Sequence, residues 1–169
     1  VAGRLEDEVL KSIEARPPDD AAKANPRGAA RKLTLEFLGK LPKVREVLTT
    51  DVDAAFDGDP AAKSKEEVIV SYPFIEAIAV QRLAHVLYGE GIELIPRIMA
   101  EWAHSRTGMD LHPGATIGKN FFIDHGFTVI GETAEIGDNV TIYQCVTLGG
   151  TNPTNGKGGK RHPTISDEV

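Results

Sequence analysis

MDLHPGATIGKNFFIDHGFTVIGETAEIGDNVTIYQCVTLGG, residues 109–150, decides the fold because its apolar residues keep a step of six. Leu111, Ile117, Ile123 and Val129 follow one another at that interval. After an offset of one residue the register resumes as Ile130, Ile136, Ile142 and Leu148. Glycine follows the aliphatic residue in Ile117-Gly118, Ile130-Gly131, Ile136-Gly137 and Leu148-Gly149, and a small or branched residue stands four places on at Ala115, Ala134, Val140 and Val146. A unit of six is too short for a helical repeat. It suits one flat side of a triangular coil, with the aliphatic side chain pointing inward and the glycine relieving the corner, so that three units close one turn of a prism. An ordinary alternating β domain would not hold the aliphatic-glycine phase over so long a run.

Upstream the period is different. From Leu5 to about Arg106 apolar residues recur at three and four, as in Phe74, Ile75, Ile78, Ala79, Leu83, Ala84, Val86 and Leu87, which gives a helix one dry face. Breakers at Pro17-Pro18, Asn25-Pro26-Arg27-Gly28, Gly58-Asp59-Pro60 and Gly89-Glu90-Gly91 divide this half into about five short helices, the last over about Glu93 to Ser105. The expected organisation is α+β: a helical domain over 1–106 and a β-helical domain over 107–169.

Composition limits the function. With 41% hydrophobic and 26% charged residues the chain has enough apolar material for a core. Its 25 acidic and 19 basic residues give a net charge of −6, which argues against a nucleic-acid partner held by phosphate neutralisation. The single Cys145 makes no internal disulfide, the first ten residues lack the pattern of a secretory signal, and no apolar run approaches bilayer length. A cytoplasmic protein acting on small molecules is expected. Without an initiating Met, and with ISDEV stopping partway through a repeat, the sequence reads as a fragment.

Three separated motifs resemble one family. EWAHSRTGMDLHPGATIGKNFFIDHG (101–126), TLGGT with KRHPTI (Thr147 to Ile165), and Asp59-Pro60-Ala61 ahead of a helix near Tyr72 are together similar to the serine O-acetyltransferases, hexapeptide-repeat acyltransferases, here lacking the C-terminal coils. The resemblance implies a left-handed parallel β-helix, an exception to right-handed crossovers. It also implies a homotrimer with active sites between neighbouring prisms, and a helical cap that joins two trimers. The reaction implied is acetyl transfer from acetyl-coenzyme A (acetyl-CoA) to L-serine, with no metal. The missing C-terminal tail of the family is the segment that reaches O-acetylserine sulfhydrylase.

A serine hydroxyl is a poor nucleophile at neutral pH, so a base must take its proton, and histidine has the suitable pKa. His125, between the inward Ile123 and Gly126, is the candidate. Asp110, fifteen residues earlier and a little under one turn away, is the candidate to hold the other ring nitrogen, a pairing the family resemblance also assigns. Serine brings an ammonium and a carboxylate. The resemblance gives the first to Asp59 and Asp124, with Pro60 shaping the wall, and the second to Arg161 and His162, in agreement with charge logic. Gly150 and Thr151 match cofactor-contacting positions, and the segment Asn152 to Lys160 reads as a flap over the cofactor. Cys145 has no basic neighbour in sequence and reads as a packing or surface thiol. The family usually has His-Gly-Thr-Gly-Val-Val-Ile-Gly where this chain has His125-Gly126-Phe127-Thr128-Val129-Ile130-Gly131, one residue shorter at the register offset. Competing readings are a hexapeptide acetyltransferase for a sugar or an amine, a zinc site built from His112, His125 and His162, and a trimeric scaffold without catalysis.

Overall fold

The computed structural model describes residues 2–150 and 159–169. Six helices come first among them: α1 (Ala2–Ala15), α2 (Asp20–Ala24), α3 (Pro26–Gly58), α4 (Lys65–Ser71), α5 (Pro73–Gly89) and α6 (Leu94–Thr107). Short polar side chains start three of them, Asp19 accepting from the Ala22 N–H at 2.7 Å, Asn25 from Gly28 at 3.1 Å and Ser64 from Glu67 at 3.1 Å. The count of five short helices is corrected. α3 runs for 33 residues with Pro42 inside it, and α4 lies between Asp59 and α5. The break before α5 comes from Pro73, which occupies the first helical position and holds Tyr72 extended at φ −82, ψ 119.

Eight two-residue strands follow: β1 (Asp110–Leu111), β2 (Thr116–Ile117), β3 (Phe122–Ile123), β4 (Val129–Ile130), β5 (Glu135–Ile136), β6 (Thr141–Ile142), β7 (Thr147–Leu148) and β8 (Thr164–Ile165). They form three parallel sheets, β1-β4-β7, β2-β5-β8 and β3-β6, which are the faces of a left-handed three-sided β-helix. The aliphatic residues stack in columns: Leu111 on Ile130 on Leu148, Ile117 on Ile136 on Ile165, and Ile123 on Ile142. A second buried position lies two residues before six of the eight column residues, at Met109, Ala115, Phe121, Thr128, Ala134 and Val140.

The offset in the sequence period is now located. Ile130, not Val129, enters the column, because the corner after β3 (124–128) holds one residue more than the corner after β6 (143–146). The extra residue is absorbed by three consecutive left-handed residues, His125, Gly126 and Phe127, at φ 67, 93 and 53. Phe127, which a strict step would bury, is 72% exposed, and Thr128 fills the inward slot. A longer interval of sequence, 149–163, separates β7 from β8, and its residues 151–158 lie outside the described residues.

The first coil of a β-helix presents one edge with no strand beside it, and its backbone groups need partners. The helices provide them. From α5, Gln81 donates to the Ala115 carbonyl at 3.0 Å, the Arg82 guanidinium to Ile117 at 3.0 Å and Gly118 at 2.7 Å, and the His85 Nδ1 to Pro113 at 2.8 Å. From α3, the Thr50 hydroxyl accepts the Asn120 N–H at 2.8 Å and the Asp51 carboxylate accepts that of Phe121 at 3.1 Å. Asp51 and Arg82 are themselves buried and joined by two bonds of 2.6 and 2.8 Å. One apolar cluster continues across this junction, with Phe74 packed edge-on against Phe121 and Phe122 at 6.0 and 5.5 Å between ring centres. A separate cluster around Val9, Ile13, Phe37, Leu87 and Ile92 holds the far end of the helices. No described helix is long and apolar enough to cross a membrane.

Arg82→Met should leave Asp51 buried and unpaired, at a cost of about 3–5 kcal/mol. Urea unfolding checks this, and adding Asp51→Asn should recover some of the loss; an unchanged midpoint in Arg82→Met would contradict the role of the pair.

Candidate active site

At the corner between the third and first faces lies a cleft of about 300 Å³, lined among others by Asp59, Tyr72, Phe74, Met109, Asp124 and His125. Asp59 caps the C-terminus of α3 and Tyr72 the N-terminus of α5, while Asp124 and His125 follow β3. The corner is pinned to the coil above it. The Asp124 N–H donates to Ile142 at 2.8 Å, and the Cys145 N–H donates to the Gly126 carbonyl at 3.0 Å. Gly126 holds φ 93, a left-handed backbone that favours glycine, and a Cβ there would also meet the flexible end of the Met109 side chain at 2.9 Å. His125 itself holds a left-handed backbone, a strained conformation of the kind that concentrates at functional sites, and this swings its ring outward to 74% exposure.

Asp59, Asp124 and His125 are therefore brought together. The His125 Nε2 lies 3.5 Å from the Asp124 Oδ1. The expected pairing of His125 with Asp110 is not formed. Asp110 sits on the first face, its N–H bonded to the Thr128 carbonyl, whereas the ring projects from the corner that precedes that face. Pro60 does not line the cleft either; it shapes the turn in which the Asp59 side chain accepts the Ala61 N–H at 2.8 Å. Tyr72, read from sequence only as a helix boundary, donates its hydroxyl to the second Asp59 oxygen. That bond, then the Ala61 N–H, and to a lesser degree His125, hold the Asp59 carboxyl below its ordinary value, and the same bond pushes the Tyr72 phenol up to about 12.

Arg161 and His162 lie elsewhere, at the corner between the first and second faces. The Arg161 Nη2 contacts the Glu132 carboxylate, whose other oxygen accepts from the Tyr88 hydroxyl at 2.7 Å. Tyr88 and Arg161 hold the Glu132 carboxyl below its ordinary value, and the Tyr88 phenol rises to about 12 in return. His162 lies on Gly131, where a Cβ would come within 2.1 Å of the ring. Gly150 is beside it, the position of a hypothetical Cβ being 3.5 Å from the Arg161 carbonyl, while Thr151 and most of the segment 152–160 fall outside the described residues. His112 also belongs to this corner, its ring edge-on to Tyr88, so the trio His112, His125 and His162 is not gathered at one point. Among the described residues no group of three His, Cys, Asp or Glu side chains is placed to hold a metal ion. Cys145 is an exposed thiol above the His125 corner.

Tyr72→Phe should raise the Asp59 carboxyl toward the ordinary carboxylate range, as followed by carbon-13 NMR titration. An Asp59 titration that does not move would remove Tyr72 as its main anchor.

Comparison with known proteins places these motifs. No family model matches the chain. A serine acetyltransferase of Synechococcus elongatus is 52% identical over 147 residues, 83% of this chain and 46% of that protein. One from Helicobacter pylori is 48% identical over 72% of this chain and 70% of its own length. Among solved structures, serine acetyltransferase isoform 3 of Entamoeba histolytica, in complex with cysteine, superposes with a TM-score of 0.83 at 42% identity, over 98% of this chain and 56% of that one. The chain spans about half the length of several of the curated relatives it matches.

Proposed function

The chain belongs to the serine acetyltransferase family, and from that premise we propose that its protein transfers the acetyl group of acetyl-CoA to the L-serine hydroxyl, giving O-acetylserine for cysteine synthesis and coenzyme A. The observation that supports this best is the cleft that places two carboxylates, Asp59 and Asp124, beside His125. His125 takes the hydroxyl proton as the serine oxygen bonds to the thioester carbon. It returns that proton to the sulfur as the carbon–sulfur bond breaks, so the base is regenerated within one direct transfer. Asp59, kept ionised by Tyr72 and the Ala61 N–H, meets the ammonium of serine together with Asp124. Asp124 or Asp110 orients the imidazole, and the two are separated by testing each as Asn.

The carboxylate end of serine falls to Arg161 and His162, with Gly150 and Thr151 toward acetyl-CoA. These occupy a different corner of the prism from His125, so one small molecule reaches both sets when the corners come from neighbouring chains. A homotrimer, alone or paired through the helical domain over 1–106, supplies that arrangement around the prism 107–169. A cytoplasmic location, and docking of the full-length protein to the sulfhydrylase that consumes its product, belong to the same proposal. A sugar acceptor would gain nothing from two carboxylates placed to meet an ammonium.

Thiol release from acetyl-CoA by the full-length protein should depend on L-serine and exceed release with homoserine or a sugar, and His125→Ala should lower it by about 10²–10⁴-fold. Release with the sugar alone would overturn the acceptor, and undiminished release by His125→Ala would overturn the base.

A further inference from the structure

Thr133 follows Glu132 at the corner that carries Arg161 and His162, and its place in the repeat suggests no task beyond filling a turn. In the structure its hydroxyl is surrounded. The Oγ1 accepts the N–H of Arg161 at 3.0 Å and that of His162 at 3.1 Å, and it lies 2.9 Å from the Nδ1 of His162. The backbone N–H of Thr133 points at the same Nδ1 from 3.1 Å. A hydroxyl has two lone pairs and one hydrogen. Both lone pairs are taken by backbone N–H groups, which can only donate, so the one hydrogen goes to Nδ1. A proton on Nδ1 would face that hydrogen and the Thr133 N–H together. The ring proton of His162 is therefore on Nε2, at the end of the ring that lies over Gly131.

We propose that Thr133 is a positioning residue that locks His162 as the neutral Nε2–H tautomer, so that the carboxylate of the acetyl acceptor meets an uncharged N–H donor beside the Arg161 guanidinium. The subsite half of this rests on the reading of Arg161 and His162 given above; the tautomer rests on hydrogen-bond counting alone. Among the described residues, three charged groups act on the ring: Arg161 and Lys160 from its own segment and Glu132 from the coil beneath. Burial and Arg161 outweigh Glu132 and lower the pKa of His162, in the same direction as the loss of two hydrogen bonds that protonating Nδ1 would impose. The positive charge of the subsite is then carried by Arg161. Its contact to Glu132 uses Nη2, and the remaining N–H groups of the guanidinium make no hydrogen bond among the described residues. One charged fork and one neutral donor bind a carboxylate without requiring a pH low enough to protonate a histidine.

Nitrogen-15 spectra of the His162 ring in the full-length protein decide the tautomer. The expected result is an unprotonated Nδ1 and a protonated Nε2, with no titration as pH falls through the ordinary histidine value of about 6.5. Thr133→Val should free Nδ1, move the titration of His162 upward, and raise the KM for L-serine about tenfold with a smaller change in kcat. The KM of this variant should also become pH-dependent near neutrality, and Thr133→Ser, which keeps the hydroxyl, should behave as the wild type. A wild-type ring carrying its proton on Nδ1, or on both nitrogens at neutral pH, overturns the proposal without recourse to any variant. So does a Thr133→Val protein with unchanged ring spectrum and KM. If the wild type releases no thiol with L-serine, the acceptor reading fails and takes the subsite half with it, while the nitrogen spectrum still decides the tautomer.

Discussion

A β-helix cannot begin without something to receive its first edge, and in this chain the Asp51–Arg82 pair is the centre of that reception. The guanidinium spans two carbonyls of the first coil and the carboxylate takes an N–H from the same corner, so the ion pair joins α3, α5 and the prism at one point. Burial alone makes such a pair a poor source of stability, since desolvating two charges costs several kcal/mol before their attraction is counted. Burial indeed pushes the Asp51 carboxyl above its ordinary value, against the pull of Arg82 and of the Phe121 N–H. What justifies the pair is the backbone it satisfies. An apolar replacement would fill the volume and take these partners from three peptide groups of the first coil, the Ile117 and Gly118 carbonyls and the Phe121 N–H.

The same contacts fix the candidate site. Asp51 lies two turns before the end of α3, where Asp59 caps the helix, and Arg82 lies in the helix that Tyr72 begins. Once α3 and α5 are locked to the first coil, Asp59 and Tyr72 are carried to the corner that follows β3. Phe122 packs on both the end of α3 at Gly58 and on Phe74 of α5, immediately before Ile123, Asp124 and His125. Side chains on a helix end, a helix start and a prism corner thus keep a common geometry because one capping arrangement holds all three.

How much of this was legible in the sequence depended on the range of the interaction. The three-sided prism followed from the step of six, and the helix ends from proline, glycine and short polar residues, because both are local. The offset between Ile123 and Ile130 was visible as an offset, but its placement was not. Which residue leaves the column depends on three successive left-handed conformations that a pattern of apolar residues does not encode. The Asp110 partnership was read from a spacing just under one turn, whereas the carboxylate that the structure sets beside the ring, at 3.5 Å, is that of the adjacent Asp124, which no spacing rule singles out as the partner. Tyr72, Glu132 and Thr133 were silent in the sequence because their partners lie thirteen to forty-four residues away, and the contacts of the last two with Arg161 and His162 join coil neighbours twenty-eight or twenty-nine residues apart, far beyond the normal interval.

The division of polar groups between two corners has a physical consequence for assembly. Asp59 and Asp124 make one corner anionic, with Tyr72, the Ala61 N–H and, more weakly, His125 holding the Asp59 carboxyl below its ordinary value. The other corner presents Arg161 and a ring donor. A zwitterion of a few heavy atoms is satisfied only where both corners meet, and unlike corners of one prism meet when copies associate head to tail. A head-to-tail contact is heterologous and closes into a ring only where its rotation allows, which in the proposed homotrimer is after three copies. On the proposed reading, the ammonium and the carboxylate of the substrate therefore bridge unlike surfaces of two chains, and the association that buries the substrate is the one that completes its binding site. A neutral His162 suits that arrangement, because a donor without charge adds no repulsion to Arg161 while it waits for the carboxylate, and it costs less to desolvate when the neighbouring prism closes over it.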